Sequence, residues 1–503
     1  ARGEQDPEWG KKPSDKPKLD RSGLWTLQPG DCMEVASRLK STAPGGDGIQ
    51  NAILRRCPLA FWTKATTVFN ACLRFGYFPK QWKKAVVCMI PKEGKDWRST
   101  TGYRPISLLP CLGKVFERMI ARRLMIELKA RNIIPACQSA FLNAHSVEDH
   151  PFRIAQLAAR GLIEKEDTFL VLLDVEGAFD RVWHEALIYT LYSFGLPDIA
   201  VAIIADFLSG RSFAVRIGAA HSTERPILGG VPQGSPHSPL LYLVFTSDLI
   251  RQLPIGILRA LFADDTALAR RSKEPAQTIK DLNLALKLVW EWFCRWRLNI
   301  NANKSQAIRI SNKTSPPPDQ LEIGGVKIPW SNLVRYLGLW IDSKLSFNQH
   351  LAKAIAKAKA RSTTLSMVCR KSFGLGKEGA VTVYKTYIRP ILLFNCPSWI
   401  GICDGQWDKL EVAQNQPLRT ATRSPPWASA SELQWKSNVL PIQVEAFAFA
   451  LNWLGRAVEN GNLVGQESNR KLNLPAETRT YSVGHRRPPL DALRLFTERT
   501  LDQ

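Results

Sequence analysis

Cysteine is sparse and unevenly scattered: ten residues, of which the closest pair, Cys396 and Cys403, has six residues between. No C-x-x-C occurs, which argues against a zinc knuckle, and the pattern fits reduced thiols of a nuclear or cytosolic setting. Long apolar runs are missing too. Stretches such as Phe169–Leu173 and Leu240–Phe245 fall far below the roughly 20 residues of a membrane span, so no membrane partner is expected. No basic-then-apolar signal segment opens the chain. It begins at Ala1 rather than Met, which leads us to expect a longer product. There is no repeat of fixed period, which argues against a solenoid. Acidic residues are the scarce charge, 45 Asp plus Glu against 68 Lys plus Arg, for a net charge of +23. A field of that sign attracts polyanions and speeds their capture.

A length of 503 residues suggests about two to four packed units. Residues 1–22 are charged and poor in apolar periodicity, as in a tether. Helical spacing marks 51–80, 112–128, 184–194, 199–208, 238–249 and 274–296; β-like runs mark 85–90, 168–175 and 306–310. Phe213–Ile217 and Thr223–Leu228 read as a hairpin, and 258–270 as strand, turn, strand with Asp264 and Asp265 at the turn. From 351 to 365 a helix keeps Leu351, Ile355, Ala358 and Leu365 on one stripe, while Lys353, Lys357, Lys359 and Arg361 face elsewhere. Residues 460–503 are polar and irregular.

The chemistry starts from three carboxylates. The run Thr168–Val175 is nearly continuous in apolar residues, the pattern of a buried strand, and Asp174 lies at its end. Pairing that strand with the 258–270 hairpin can bring Asp174 to Asp264 and Asp265. Three carboxylates so crowded repel one another and become tolerable when cations neutralise them. Two divalent ions about 3.5–4 Å apart serve in-line phosphoryl transfer. An isolated Asp-Asp pair would be ordinary turn chemistry; here the surrounding motifs decide.

LLDVEGAFDRVWHEAL (172–187), GGVPQGSPHSPLLYLVFTSDL (229–249) and FADDTAL (262–268) closely resemble three successive palm motifs of non-LTR retrotransposon reverse transcriptases. APGGDGI (43–49), IPK (90–92) and GYRPISLLPCLGKVFERMI (102–120) look like the finger motifs of that family, and LNINANKSQAI (298–308) and VRYLGLWID (334–342) match its remaining palm elements. YKTYIRPILL (384–393) and LRTATRSPPW (418–427) resemble the region beyond the thumb in jockey-like elements. The ordered set spans about residues 40–445 and is highly specific, whereas FADD alone is weak.

The resemblance implies an α+β right-hand polymerase (fingers, palm, thumb) with a helical C-terminal extension. Its expected layout is an N-terminal tether at 1–40, fingers at 41–165, palm at 166–335, thumb and helical extension at 336–445 and a tail at 446–503. It implies metal binding by Asp174, Asp264 and Asp265, with Val175 beside them, and two Mg²⁺ ions for which Mn²⁺ can substitute. Lys304 would sit near the leaving pyrophosphate. Arg104 and Lys92 would hold the incoming triphosphate, as guanidinium suits phosphate geometry. Gln233 and Gly234 would line the nucleotide and template cleft, and Phe179 would sense the sugar. Lys353, Lys357, Lys359 and Arg361 are expected on the template–primer backbone. The expected activity is RNA-directed DNA synthesis on element RNA, primed from a nicked chromosomal DNA end and using dNTPs, in the nucleus, with a cytoplasmic stage of RNP assembly. The endonuclease would lie on a missing N-terminal part. The alternatives are a group II intron maturase-like protein and a catalytically inactive RNA-binding relic. Two departures stand out. Gln138 is followed by Ser139, Ala140, Phe141, Leu142 and Asn143, without the Arg usual in the family's template-contacting motif. His237 replaces an aliphatic residue.

Overall fold

Apolar periodicity and strand propensity are realised here as two interleaved units, each an α+β assembly around its own sheet. The computed structural model describes residues 25–92, 94, 96–369, 374–472, 489–491 and 493. Among the described residues, one compact unit comprises those within 1–135, 177–248 and 295–298, and the other those within 136–176, 249–294 and 299–503. Of the tether expected at 1–40, residues 1–24 lie outside the described residues, and the rest needs correcting: Pro29–Ser37 is a helix with Cys32, Val35 and Ala36 buried, and Trp25, Leu27 and Leu39 are buried beside it.

In the first unit the central strand Lys84–Pro91 pairs antiparallel with Tyr103–Leu108 and parallel with Ser212–Ile217. The expected hairpin after Ile217 is reduced to two short pieces, Ala220–His221 and Arg225–Pro226, on the same strand. Pro226 has no N–H to give a ladder, so this edge cannot continue as a regular strand. Helices Leu59–Phe75, Cys111–Ala130 and Asp198–Leu208 supply an aromatic core. Phe116 stacks on Phe69 at 4.8 Å and on Phe78 at 5.7 Å, while Phe207 meets Phe78 edge-on at 5.1 Å. Offset and edge contacts of this kind add to the area they bury.

In the second unit the sheet order is Gln306–Ile310, Asp167–Leu173, Asp265–Ser272, Leu258–Phe262, all antiparallel. The Asp167–Leu173 strand is central, which accounts for its unbroken apolar run: both of its faces are covered. Leu170 joins Ile154, Ala155 and Ala158 of the helix Asp149–Ile163, and Phe169 meets Trp330 edge-on at 5.9 Å. At the start of the strand the buried Asp167 carboxylate pairs with Arg309 at 2.7 Å and accepts from the Ser311 hydroxyl, pinning the register of the edge strand.

Helices Asn348–Val368, Asp404–Thr422 and Ile442–Glu459 follow. Here the sequence-based boundary needs correcting. The tail expected from 446 begins inside a packed helix whose Ala446, Phe447, Ala450 and Trp453 are buried. The next helix, Leu463–Leu472, is tied down by Glu467, whose two carboxylate oxygens accept from Arg153 Nη2 at 2.9 Å and Nε at 3.0 Å, and Leu490 donates its N–H to Gln156 at 2.9 Å. The polar stretch from 460 thus carries a helix, and Glu467 in it is ion-paired to Arg153. Among the described residues no helix is long and apolar enough to cross a membrane.

Candidate active site

The strand Asp167–Leu173 delivers Asp174 at its end, and the turn that follows Ile300 fastens it. The Asp174 N–H donates to Ser305 Oγ at 3.2 Å, and its carbonyl accepts from the Asn301 N–H at 2.8 Å. Ser305 Oγ in turn donates to the Asn301 carbonyl at 2.9 Å. Val175 and Glu176 pair with Ile300 and Asn299. The same turn carries Lys304, whose Nζ stands 3.9 Å from the Asp174 carboxylate; both groups are about half exposed, so water screens the pair.

Strand register supplies the neighbour. Leu173 lies opposite Thr266, so in an antiparallel ladder the next position, Asp174, faces Asp265. Phe262 and Asp265 form the last pair of the hairpin, leaving Ala263 and Asp264 as a two-residue turn. Ala263 has φ +56°. That left-handed conformation costs an L-residue about 1–2 kcal/mol, and it is the kind of strain that functional turns hold.

The electrostatics follow from this crowding. Burial, opposed by a backbone hydrogen bond, raises the Asp264 carboxyl, and the Asp174 charge raises it further. Burial and the charges of Asp264 and Asp174 push Asp265 up to about 6. Carboxylate oxygens in mutual repulsion are donors that suit a hard divalent cation. Among the described residues, however, no three His, Cys, Asp or Glu side chains converge, as they stand, closely enough to hold an ion.

The nucleotide-side candidates belong to the other unit. Arg104 is exposed on its strand opposite Ile90, and the Lys92 N–H donates to the Gly102 carbonyl at 2.7 Å, closing the base of the same hairpin. The segment 229–235 is stitched on two sides. Gly230 and Val231 donate to the Val182 and Phe179 carbonyls at 2.8 Å each, and the Ser107 N–H donates to the Gln233 carbonyl at 2.7 Å. Gly234, at φ +131°, admits no side chain, because a Cβ there would stand 2.5 Å from the Ser107 carbonyl oxygen. Gln233 Nε2 donates to Asp180 at 3.0 Å. Beneath them the Ser235 hydroxyl donates to the buried carboxylate of Glu117, which burial raises to about 6 against the pull of that hydrogen bond and of Arg211.

On the basic helix Asn348–Val368, Lys353 Nζ sits 3.3 Å from the centroid of the Trp340 ring, and the Arg361 guanidinium lies 4.0 Å over Tyr387. The expected four-residue stripe needs one correction. At about 100° per residue, Lys353, Lys357 and Arg361 share one face and Lys359 points roughly the opposite way.

Asp174, Val175, Asp264, Asp265 and Lys304 thus gather in one unit, and Lys92, Arg104, Phe179, Gln233 and Gly234 in the other. Missed from sequence were the supports: Asn301, Ser305, Asp180, Glu117 and Ser235. All five lie inside the motifs quoted above, and that membership was the available signal.

Comparison with known proteins now bears on the site. The family described as reverse transcriptase (RNA-dependent DNA polymerase) matches residues 90–341. The probable RNA-directed DNA polymerase of transposon X-element from Drosophila melanogaster is 34% identical over 405 residues, 79% of this chain and 44% of that protein. The RNA-directed DNA polymerase of mobile element jockey from Drosophila melanogaster is 29% identical over 444 residues, 87% of this chain and 48% of that protein. The chain therefore spans about half the length of the curated relatives it matches. Among solved structures, apo telomerase from Candida Tropicalis superposes with a TM-score of 0.41 at 11% identity, over 86% of this chain and 74% of that one, too slight a likeness to add to the argument. With the family profile covering half of its residues, and with the α+β class expected of it, the chain belongs to the reverse transcriptase family.

Proposed function

We propose that this chain is an RNA-directed DNA polymerase of a jockey-like non-LTR element, adding dNMP units to a DNA 3′-end on an RNA template by target-primed reverse transcription in the nucleus. The observation that carries this reading is the register that sets Asp174 against Asp265 with Asp264 in the adjoining turn. It leaves three acidic oxygen donors at one strand end, where burial first, and then their repulsion, raises the Asp264 and Asp265 carboxyls. Two Mg²⁺ ions bound there, or Mn²⁺ in their place, would ease ionisation of the primer 3′-hydroxyl and offset charge on the leaving pyrophosphate.

The roles of the chain's own groups follow. Asp174, Asp264, Asp265 and Val175 would hold the ions. Lys304, 3.9 Å from the Asp174 carboxylate, would meet negative charge as it develops on the pyrophosphate. Arg104 and Lys92, on one hairpin base, orient the triphosphate, and the clamped segment Gln233–Gly234 lines the nucleotide. The curated relatives named above carry RNA-directed DNA polymerase in their names, which supports the choice of RNA as template. The test is extension of a DNA oligonucleotide annealed to RNA, with dNTPs and Mg²⁺, by the full chain and by its Asp174→Asn variant. Templated products from the parent alone support the reading. A parent that binds the hybrid and extends nothing with either Mg²⁺ or Mn²⁺ overturns it in favour of an RNA-binding protein.

A further inference from the structure

The turn that presents Asp264 is held from outside its own hairpin. Residues 137–139 run alongside Leu261: the Leu261 N–H donates to the Cys137 carbonyl at 2.9 Å, and the Ser139 N–H donates to the Leu261 carbonyl at 3.0 Å. The same carbonyl lies 2.9 Å from Nε2 of His150, which burial, and then the charge of Arg153, lower to about 4. A neutral ring there donates through Nε2. Leu261, two residues before Ala263, is therefore fixed on three sides.

Between these contacts lies Gln138, only 2% exposed. Its side-chain oxygen accepts the Ala140 N–H at 2.9 Å and the Ala263 N–H at 3.2 Å. In a two-residue turn the N–H of the first central residue has no ladder partner, and a buried amide left so is costly. Ala263 is that residue, and its left-handed φ of +56° is one that alanine keeps only when its surroundings impose it. The motif around Gln138 resembles one that touches template, yet a side chain so buried and turned onto the hairpin is spent on its own protein.

We infer that Gln138 is a positioning residue for polymerisation: its amide oxygen holds Ala263 in the left-handed turn and thereby aims Asp264. This rests on the polymerase reading above. Misplacing a reacting group by about 1 Å can cost on the order of a hundredfold in rate, so the effect belongs in kcat, while affinity for template and dNTP stays put.

The experiment uses the full chain with Gln138→Met, which keeps length and removes the acceptor; Gln138→Glu, which keeps the acceptor; and Gln138→Met combined with Ala263→Gly. Hydrogen–deuterium exchange over the peptide covering 262–265 is read on all of them beside primer extension. Gln138→Met should exchange the Ala263 amide at least about tenfold faster, as an amide freed from its buried acceptor does, with Gln138→Glu protected. Extension by Gln138→Met should fall about ten- to a hundredfold in kcat, with dNTP KM and hybrid Kd within about twofold. Glycine at 263, free to adopt positive φ, should recover most of that loss. Unchanged exchange in a folded Gln138→Met overturns the inference whether or not the parent polymerises. A loss confined to hybrid affinity, or one that Ala263→Gly leaves untouched, overturns it too. A parent without extension but with the predicted exchange pattern counts against the polymerase reading and not against the clamp.

Discussion

Phe179 and Tyr242 stack, with ring centroids 4.8 Å apart and planes 23° from parallel. Tyr242 is 1% exposed on the buried helix Ser238–Phe245, so it is a fixed wall, and Phe179, half-buried five residues after Asp174, has little rotamer freedom against it. A ring held this firmly would meet a ribose 2′-hydroxyl with a clash and no polar partner, which penalises ribonucleotides twice. Phe179→Val should therefore lower the ratio of kcat/KM for dNTP over rNTP by about tenfold or more, the scale of one unpaired hydroxyl. Dideoxy-terminated single-turnover assays with each nucleotide measure it. An unmoved ratio in a folded variant would return Phe179 to a purely packing role.

Asp264 occupies the turn that Asp174 faces, and both are asked to offset charge in the transition state. Asp264→Asn keeps the shape but removes the one carboxylate of the Ala263–Asp264 turn. Extension should fall by about two to three decades or more, the usual size for loss of one electrostatic element. Binding of the RNA–DNA hybrid, measured by anisotropy, should stay within about twofold. Extension near the parent rate would remove Asp264 from the metal set.

Much of this was legible beforehand, for identifiable reasons. The central strand showed itself because a run covered on both faces must be apolar throughout, and Leu170 and Phe169 are covered on opposite faces. The 258–270 hairpin was readable as two β-like runs broken at Asp264 and Asp265. The parallel pairing of Lys84–Pro91 with Ser212–Ile217 was not, since partners such as Lys84 and Ser212, 128 residues apart, leave no local mark. The tail expected from 446 overlaps the helix Ile442–Glu459, which carries a buried stripe. The supports were hidden for another reason. Gln138, Glu117 and Ser235 act through buried hydrogen bonds, and nothing in composition separates a buried Gln or Glu from a solvated one.

The basic helix gives a prediction with an internal control. Lys353 and Lys357 share a face, with Lys353 steadied on Trp340, while Lys359 lies on the far side. If that face follows the hybrid backbone, neutralising Lys353 and Lys357 together should reduce the magnitude of the salt slope of binding by roughly one to two units. Loss of affinity should be even across template sequences, because phosphate contacts carry no sequence information. Lys359→Ala should leave the slope as it was. Equal slopes for all three proteins would make this an ordinary solvated helix.

The last prediction concerns His237, inside the segment 229–249. It is fully buried, edge-on to Phe207 at 5.2 Å, and among the described residues neither ring nitrogen has a hydrogen-bond partner. Burial, and then the charge of Arg211, lower it from its usual 6.5 to about 3. The sign follows directly. The folded protein keeps His237 neutral while the unfolded chain takes up a proton below 6.5, so its contribution to stability is present above 6.5 and lost as pH falls toward 3. Glu117 works the other way. Its carboxyl is raised from 4.5 to about 6, so the stability it confers is present below 4.5 and lost as pH rises through 6. Between those values the two slopes oppose each other. His237→Leu should remove the unpartnered nitrogens and gain about 1–3 kcal/mol at pH 7. The gain should then widen by about 1 kcal/mol for each pH unit below 6.5, because the variant no longer suffers proton uptake in its unfolded state. Urea midpoints of parent and variant at pH 7 and pH 5 measure both quantities. A variant less stable than the parent at pH 7, or a gap that does not grow at pH 5, would mean that His237 finds a partner this burial conceals.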